Sequence, residues 1–98
     1  MERGEATQAI QKEIRSEKAA ALAHAVEALE SALRALAGHD AGGGRRPALR
    51  EELVADAAER LWYVVIQREA MGLLRHDVLH EVLRVPAEVR RAMGPRRR

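Results

Sequence analysis

The amino-acid sequence predicts an all-α protein, built on a long antiparallel helical hairpin that short C-terminal helices follow. Two long stretches carry apolar residues at helical spacing, and the glycine-rich run from His39 to Arg46 separates them. The sequence has no Phe, and Trp62 and Tyr63 are its aromatic residues. The remaining apolar side chains are chiefly Ala, Leu and Val, which suit thin and closely packed interfaces between helices.

The first long helix is predicted over about residues 7–37. Its main apolar stripe alternates steps of four and three residues, which places it on one helix face: Leu22, Val26, Leu29, Leu33 and Leu36. A second stripe of small residues lies one position behind: Ala21, Ala25, Ala28, Ala32 and Ala35, preceded by Ile10 and Ile14. Small residues allow another helix to approach closely. Gly38 is predicted to end the helix, and residues 39–46 to form a flexible link.

The second long helix is predicted over about residues 47–71. Pro47 suits the first turn, because its missing N–H is unpaired there anyway, and Gly72 suits the position just past the helix end. The sequence predicts a single domain over residues 1–98. After the two long helices it has short helices at about 77–83 and 86–93 and a basic tail at 95–98. Helices of roughly 46 and 38 Å exceed the ~26 Å diameter of a globular chain of this length, so the hairpin must be elongated.

The run from Leu61 to Ile66 is apolar for more than one full helical turn. Apolar side chains therefore point in every direction around the axis, and one neighbouring helix cannot cover them all. We expect a second copy of the chain to cover the remainder, in a dimer that resembles a four-helix bundle. The predicted dimer interface consists of Leu61, Trp62, Tyr63, Val65 and Ile66.

Charged residues interrupt the apolar stripes at matching positions of the two helices. In a hairpin that turns near residue 42, the numbers of facing residues add up to about 84, which predicts the ion pairs Glu17–Arg68 and Lys18–Glu69. The predicted polar cluster consists of Glu13, Glu17, Lys18, Gln67, Arg68 and Glu69. Such a cluster favours one register and one dimer partner, because a buried charge penalises wrong pairings. A small-molecule or anion site at the same place is the alternative.

His76 and His80 are four residues apart, the spacing at which two histidines on one helix bind a single zinc ion. A zinc hydrolase also needs a third ligand and a substrate cleft, and Asp77 stands where its motif has Glu. We therefore interpret both as exposed surface histidines, weak candidates for a metal site, and expect no metal or cofactor. Ser16 and Ser31 lack the surroundings of a nucleophile, so an enzyme is not expected.

The net charge is +2, and basic residues concentrate at the C-terminus. The possible phosphate contacts are Arg90, Arg91, Arg96, Arg97 and Arg98. They support an alternative function, weak and sequence-neutral association with nucleic acid. However, neither helix-turn-helix spacing nor an aromatic stacking platform accompanies them.

No apolar run approaches the ~20 residues that span a bilayer, so no membrane segment is expected. The chain has no cysteine, and its first residues are charged and have no secretory pattern. We therefore expect a cytoplasmic location.

Several segments together resemble a family of short, uncharacterised bacterial all-helical proteins. The segments that carry the resemblance are Glu13-Ile14, Glu17-Lys18-Ala19, the Leu/Ala run to Leu36, Leu61-Trp62, Gln67-Arg68-Glu69-Ala70 and Val85-Pro86-Ala87-Glu88-Val89. The resemblance implies an all-α fold of unknown function, without assigned catalytic residues. Separately, the apolar run and the lack of a catalytic constellation predict a small non-enzymatic module for protein–protein interaction or regulation that acts as a homodimer.

Overall fold

The computed structural model describes residues 3–96, and all of its regular elements are helices. They are α1 (Arg3–Ala41), α2 (Pro47–Ala70), α3 (Asp77–Val82) and α4 (Ala87–Arg91). α1 packs against α2, and α4 packs against α2. This arrangement confirms the prediction of an all-α protein with a pair of long helices. Within residues 3–96, no helix combines the length and the hydrophobicity that a bilayer-spanning segment requires.

The prediction that Gly38 ends the first helix is wrong, because α1 continues for three more residues to Ala41. The left-handed glycine that follows the helix end is instead Gly43, which has a φ of 105°. The Gly43 N–H donates to the Asp40 carbonyl oxygen at 3.2 Å, and the Gly44 N–H donates to the His39 carbonyl oxygen at 3.1 Å. These two bonds form a Schellman motif, which requires a left-handed residue at the position of Gly43. The first part of the predicted flexible link, residues 39–41, is therefore helical.

α2 begins at Pro47 and ends at Ala70, and Gly72 follows with a φ of 82°. The Gly72 N–H donates to the Glu69 carbonyl oxygen at 2.9 Å, and the Leu73 N–H donates to the Arg68 carbonyl oxygen at 2.9 Å. This is a second Schellman motif, at the position where the sequence predicts the end of the helix.

The hydrophobic core lies in the half of the hairpin near its turn. Its buried side chains come from all four helices and the link before α4: Leu29, Ala32, Leu36, Ala57, Ala58, Leu61, Val64, Val65, Leu79, Val85 and Val89. The C-terminal segment thus supplies a third side of the core, with Leu79, Val85 and Val89. The small residues Ala57 and Ala58 let the helices approach closely.

The molecule is elongated, as the predicted helix lengths require. It measures 64 × 25 × 20 Å, and its radius of gyration of 17.1 Å exceeds the ~13 Å of a compact chain of this length. Its accessible surface is 7306 Å². A compact monomer of 10.9 kDa exposes about 5,600 Å², so this chain leaves roughly 1,700 Å² more in contact with solvent.

Two glycines at the end of α1 should respond to alanine in opposite directions. Gly38 lies inside the helix with open space around a built Cβ, so Gly38→Ala should stabilise the fold by about 0.5–1 kcal/mol. Gly43→Ala should destabilise it by about 1 kcal/mol, because an L side chain is strained at a φ of 105°. Urea unfolding at one fixed protein concentration measures both. Equal shifts of the same sign would contradict the assigned helix end.

Candidate interaction surface

The first part of α1 extends beyond the end of α2. Lys18 lies level with Ala70, the last residue of α2, because its Nζ donates to the Ala70 carbonyl oxygen at 3.2 Å. Every residue from 7 to 21 is exposed. We call residues 3–17 the overhang, and at ~1.5 Å per residue this segment is about 22 Å long.

The overhang carries two large apolar side chains on one face. Ile10 is 58% exposed and Ile14 is 45% exposed. Full burial of an isoleucine side chain is worth about 1.5–3 kcal/mol, so leaving both in water forfeits a substantial part of the stability of a small domain. Most helices in proteins draw their stability from a packed apolar face. The overhang is therefore a candidate interaction surface.

A shallow groove of about 290 Å³ lies between α1 and α2, next to the overhang. We call it the Ala groove, and its lining residues are Ala21, His24, Ala25, Ala28, Arg60, Tyr63 and Gln67. Its α1 side belongs to the stripe of small residues seen in the sequence. Tyr63 is 43% exposed and forms part of the α2 side, with its ring centroid 5.3 Å from that of Trp62. The groove can accept the side chains of another helix at close approach.

The predicted dimer interface divides into covered and uncovered residues. Leu61 and Val65 are buried in the chain's own core, so the expectation that they face a second copy is corrected. α3, the link after it and α4 contribute Leu79, Val85 and Val89 to the same core, so the chain itself buries more of α2 than the apolar run predicts. Trp62 is half-buried, whereas Tyr63 and Ile66 are exposed, Ile66 at 39%.

The register of the hairpin differs from the predicted one by about one helical turn, so the polar cluster does not form as predicted. Because α1 runs past Gly38, the numbers of facing residues add up to about 88 rather than 84, as Lys18 and Ala70 show. Among the described residues, neither Glu17–Arg68 nor Lys18–Glu69 forms. Glu13 and Glu17 are exposed on the overhang, and Gln67 lines the Ala groove.

Arg68 instead anchors the link between α2 and α3. Its Nε donates to His76 Nδ1 at 3.2 Å, and its Nη2 donates to the Arg75 carbonyl oxygen at 2.8 Å. Since a guanidinium only donates, His76 Nδ1 is an acceptor and the ring hydrogen lies on Nε2, which is 3.5 Å from Glu69 Oε2. The two hydrogen bonds that Arg68 donates hold the turn at the end of the hairpin closest to the overhang.

His76 and His80 are half-buried, which corrects the expectation that both are exposed. Within residues 3–96, no group of three or more His, Asp or Glu side chains is arranged to hold a metal ion. Burial lowers the pKa of His80 below its ordinary value; Arg90 and His76 add to the shift, and Asp77 opposes it. Its Nδ1 is buried without a hydrogen-bond partner among the described residues.

A cluster of charges that the sequence analysis missed joins three helices near the turn. Arg50 Nε and Nη2 donate to the Asp40 carboxylate at 2.9 and 3.1 Å, and Nη1 donates to Glu88 Oε2 at 2.9 Å. Hydrogen bonds from Arg50 lower the pKa of both carboxyls, and the carboxylates raise the pKa of Arg50. Because both carboxyl pKa values are lowered, the stability from this cluster is present at neutral pH and is lost as pH falls below about 4.

The C-terminal arginines occupy different positions. Arg90 and Arg91 are exposed on α4. Arg96 folds onto α2, where its backbone N–H donates to Glu59 Oε2 at 3.0 Å and its guanidinium lies 3.3 Å from Asp56 Oδ1. Arg97 and Arg98 lie outside the described residues. The carboxylates of α2 thus neutralise Arg96. Association with nucleic acid through the C-terminal arginines stays a prediction.

Within residues 3–96, these features define an elongated helical hairpin with one unpartnered helix end, beside a groove that has three alanines on its α1 side. The sequence matches the family of unknown function DUF6665 over residues 1–97, and the chain belongs to that family. Membership confirms the resemblance to an uncharacterised all-helical family. No curated protein and no solved structure matches the chain.

Arg50→Lys should loosen α4 without unfolding the hairpin. A lysine is a point charge and cannot donate simultaneously to Asp40 and Glu88 in the geometry of the guanidinium. We expect faster amide hydrogen exchange in α4 at neutral pH. Arg46→Lys is the control, because Arg46 is exposed at the start of α2 and makes no capping hydrogen bond. Unchanged exchange in α4 would show that Arg50 does not hold it.

The stability of the fold should fall as pH decreases from 7 through the ordinary histidine range near 6.5. The folded state resists protonation of His80, because burial lowers its pKa, so the unfolded state binds the extra proton. His80→Gln should flatten this part of the urea-unfolding profile. Equal slopes for the His80 variant and the unmodified chain would exclude this linkage.

Proposed function

We propose that this protein is a non-enzymatic interaction module that acts as a homodimer. The observation that carries the proposal is the overhang, where a helix about 22 Å long presents Ile10 and Ile14 to solvent. A second copy of the chain offers the apolar cover that the first copy lacks. Homodimers with a twofold axis are by far the commonest oligomers of soluble proteins.

The surface area supports the same proposal. The chain exposes roughly 1,700 Å² more than a compact monomer of its mass, whereas a standard interface buries about 800 Å² on each partner. A dimer that covers the overhang and the adjoining groove brings the exposed surface per chain towards the ordinary value. The excess is therefore large enough for a stable interface.

Other features support a binding role rather than catalysis. Arg50 and Arg96 are engaged by carboxylates of the same chain, so neither guanidinium is free to bind a substrate. Ser16 and Ser31 are exposed on α1 rather than held at a sharp turn that activates a nucleophile. A composition without cysteine fits a reducing compartment, and we place the module in the cytoplasm.

The proposal is tested by measuring the mass of the chain in solution. Size-exclusion chromatography with light scattering should give twice the chain mass of 10.9 kDa. The double variant Ile10→Glu/Ile14→Glu should give a single chain mass, because burying four carboxylates at the interface is costly. Circular dichroism should show that the variant retains its helices.

Gln8→Glu/Ala19→Glu is the matched control. It adds two carboxylates to exposed positions of α1 on the face opposite Ile10 and Ile14, so it should remain a dimer. An unmodified chain that elutes as a monomer at all concentrations tested would overturn the proposal.

A further inference from the structure

We propose that the two copies pair through antiparallel α1 helices, with the overhang of each copy seated in the Ala groove of the other. This inference rests on the proposed homodimer and specifies which surfaces meet. It assigns one occupant to the groove, the N-terminal part of α1 from a second copy of the chain.

The face of α1 that carries Ile10 and Ile14 continues directly into the Ala groove. From Ile14, steps of three or four residues lead through position 17 to Ala21, Ala25 and Ala28, which line the groove. One continuous face therefore bears two large side chains at one end and three small ones at the other. A twofold axis perpendicular to α1 brings the large end of each copy onto the small end of the other, so the face is complementary to itself.

The sizes and the charges of the side chains on this face together favour one register of this pairing. Seating Ile14 against the partner's Ala21 also places Ile10 level with the partner's Ala25. The twofold axis then passes between positions 17 and 18, where Glu17 faces the partner's Lys18. Opposite charges meet at the centre of the interface, and the two symmetry-related pairs are identical. This accounts for the charged residues that interrupt the apolar stripe of α1.

The structure of one chain provides space for the incoming helix. The Ala groove lies level with the residues that this register places opposite the overhang, and Tyr63 stands at its α2 side with part of its ring exposed. Burial of Ile10 beside Tyr63 removes apolar surface from water on both copies. The alternative register, with overhang against overhang, leaves both Tyr63 and the Ala groove uncovered.

The chain contains no cysteine, so engineered disulfides can test the register directly. Ile14→Cys/Ala21→Cys should oxidise to a covalent dimer on a non-reducing gel, and reductant should reverse the bond. The two positions are seven residues apart on one helix, about 10 Å, which is too far for a disulfide within one chain. Both are exposed in the chain, so the variant should fold.

Lys12→Cys/Ala23→Cys is the matched control. Its positions are exposed and would lie level with each other in the same register, but they are on the opposite face of α1, so it should stay uncrosslinked. Ile14→Cys alone should also stay uncrosslinked, because its two copies would be about 10 Å apart along the helices.

The outcomes separate this inference from the homodimer itself. If the unmodified chain is a dimer but the Ile14/Ala21 pair does not crosslink, or crosslinks no better than the control, the proposed register is overturned and the homodimer stands. Crosslinking of Ile14→Cys alone, as efficient as that of the pair, would move the axis to residue 14 and also overturn the register. A monomeric unmodified chain would overturn both proposals together.

Discussion

The unequal length of the two long helices governs the surface of this protein. α1 has 39 residues and α2 has 24, so a hairpin built from them must leave part of α1 without a partner. Near the turn, α2 and the C-terminal segment enclose a core of Leu, Val and Ala side chains. Beyond Lys18, the same α1 carries its apolar face into solvent. One part of α1 therefore contributes to the core, and the other part is the candidate interaction surface.

The C-terminal segment decides which apolar residues remain available to a partner. Leu79, Val85 and Val89 complete the core around Leu61 and Val65, and Arg50 holds α4 through Glu88. The apolar side chains in the middle of α2 are therefore largely buried within one chain. Apolar side chains remain exposed on the overhang, at Tyr63 and on the segment that carries Leu74, Val78 and Val82. A second copy is proposed to cover the first two of these surfaces.

The sequence predicts the all-α class and both long helices, because apolar spacing, Pro47 and the glycines are local signals. It misplaces the register of the hairpin, since either Gly38 or Gly43 can end α1, and the choice depends on contacts around the turn. A shift of one turn then moves Lys18 to Ala70 and removes both predicted ion pairs. The cluster of Asp40, Arg50 and Glu88 joins residues 38 positions apart, which no local pattern reveals.

The tight turn at Gly43 and Gly44 has a consequence for the order in which the molecule assembles. Asp40 and Arg50, which meet beside it, are ten residues apart, whereas Lys18 and Ala70 at the open end are separated by 52. Closing a short loop costs less conformational entropy than closing a long one, so folding that begins at the turn and proceeds outward is entropically favoured. In that order the Ala groove forms before the overhang, so in the proposed homodimer each chain has a complete groove when it meets the overhang of the other copy.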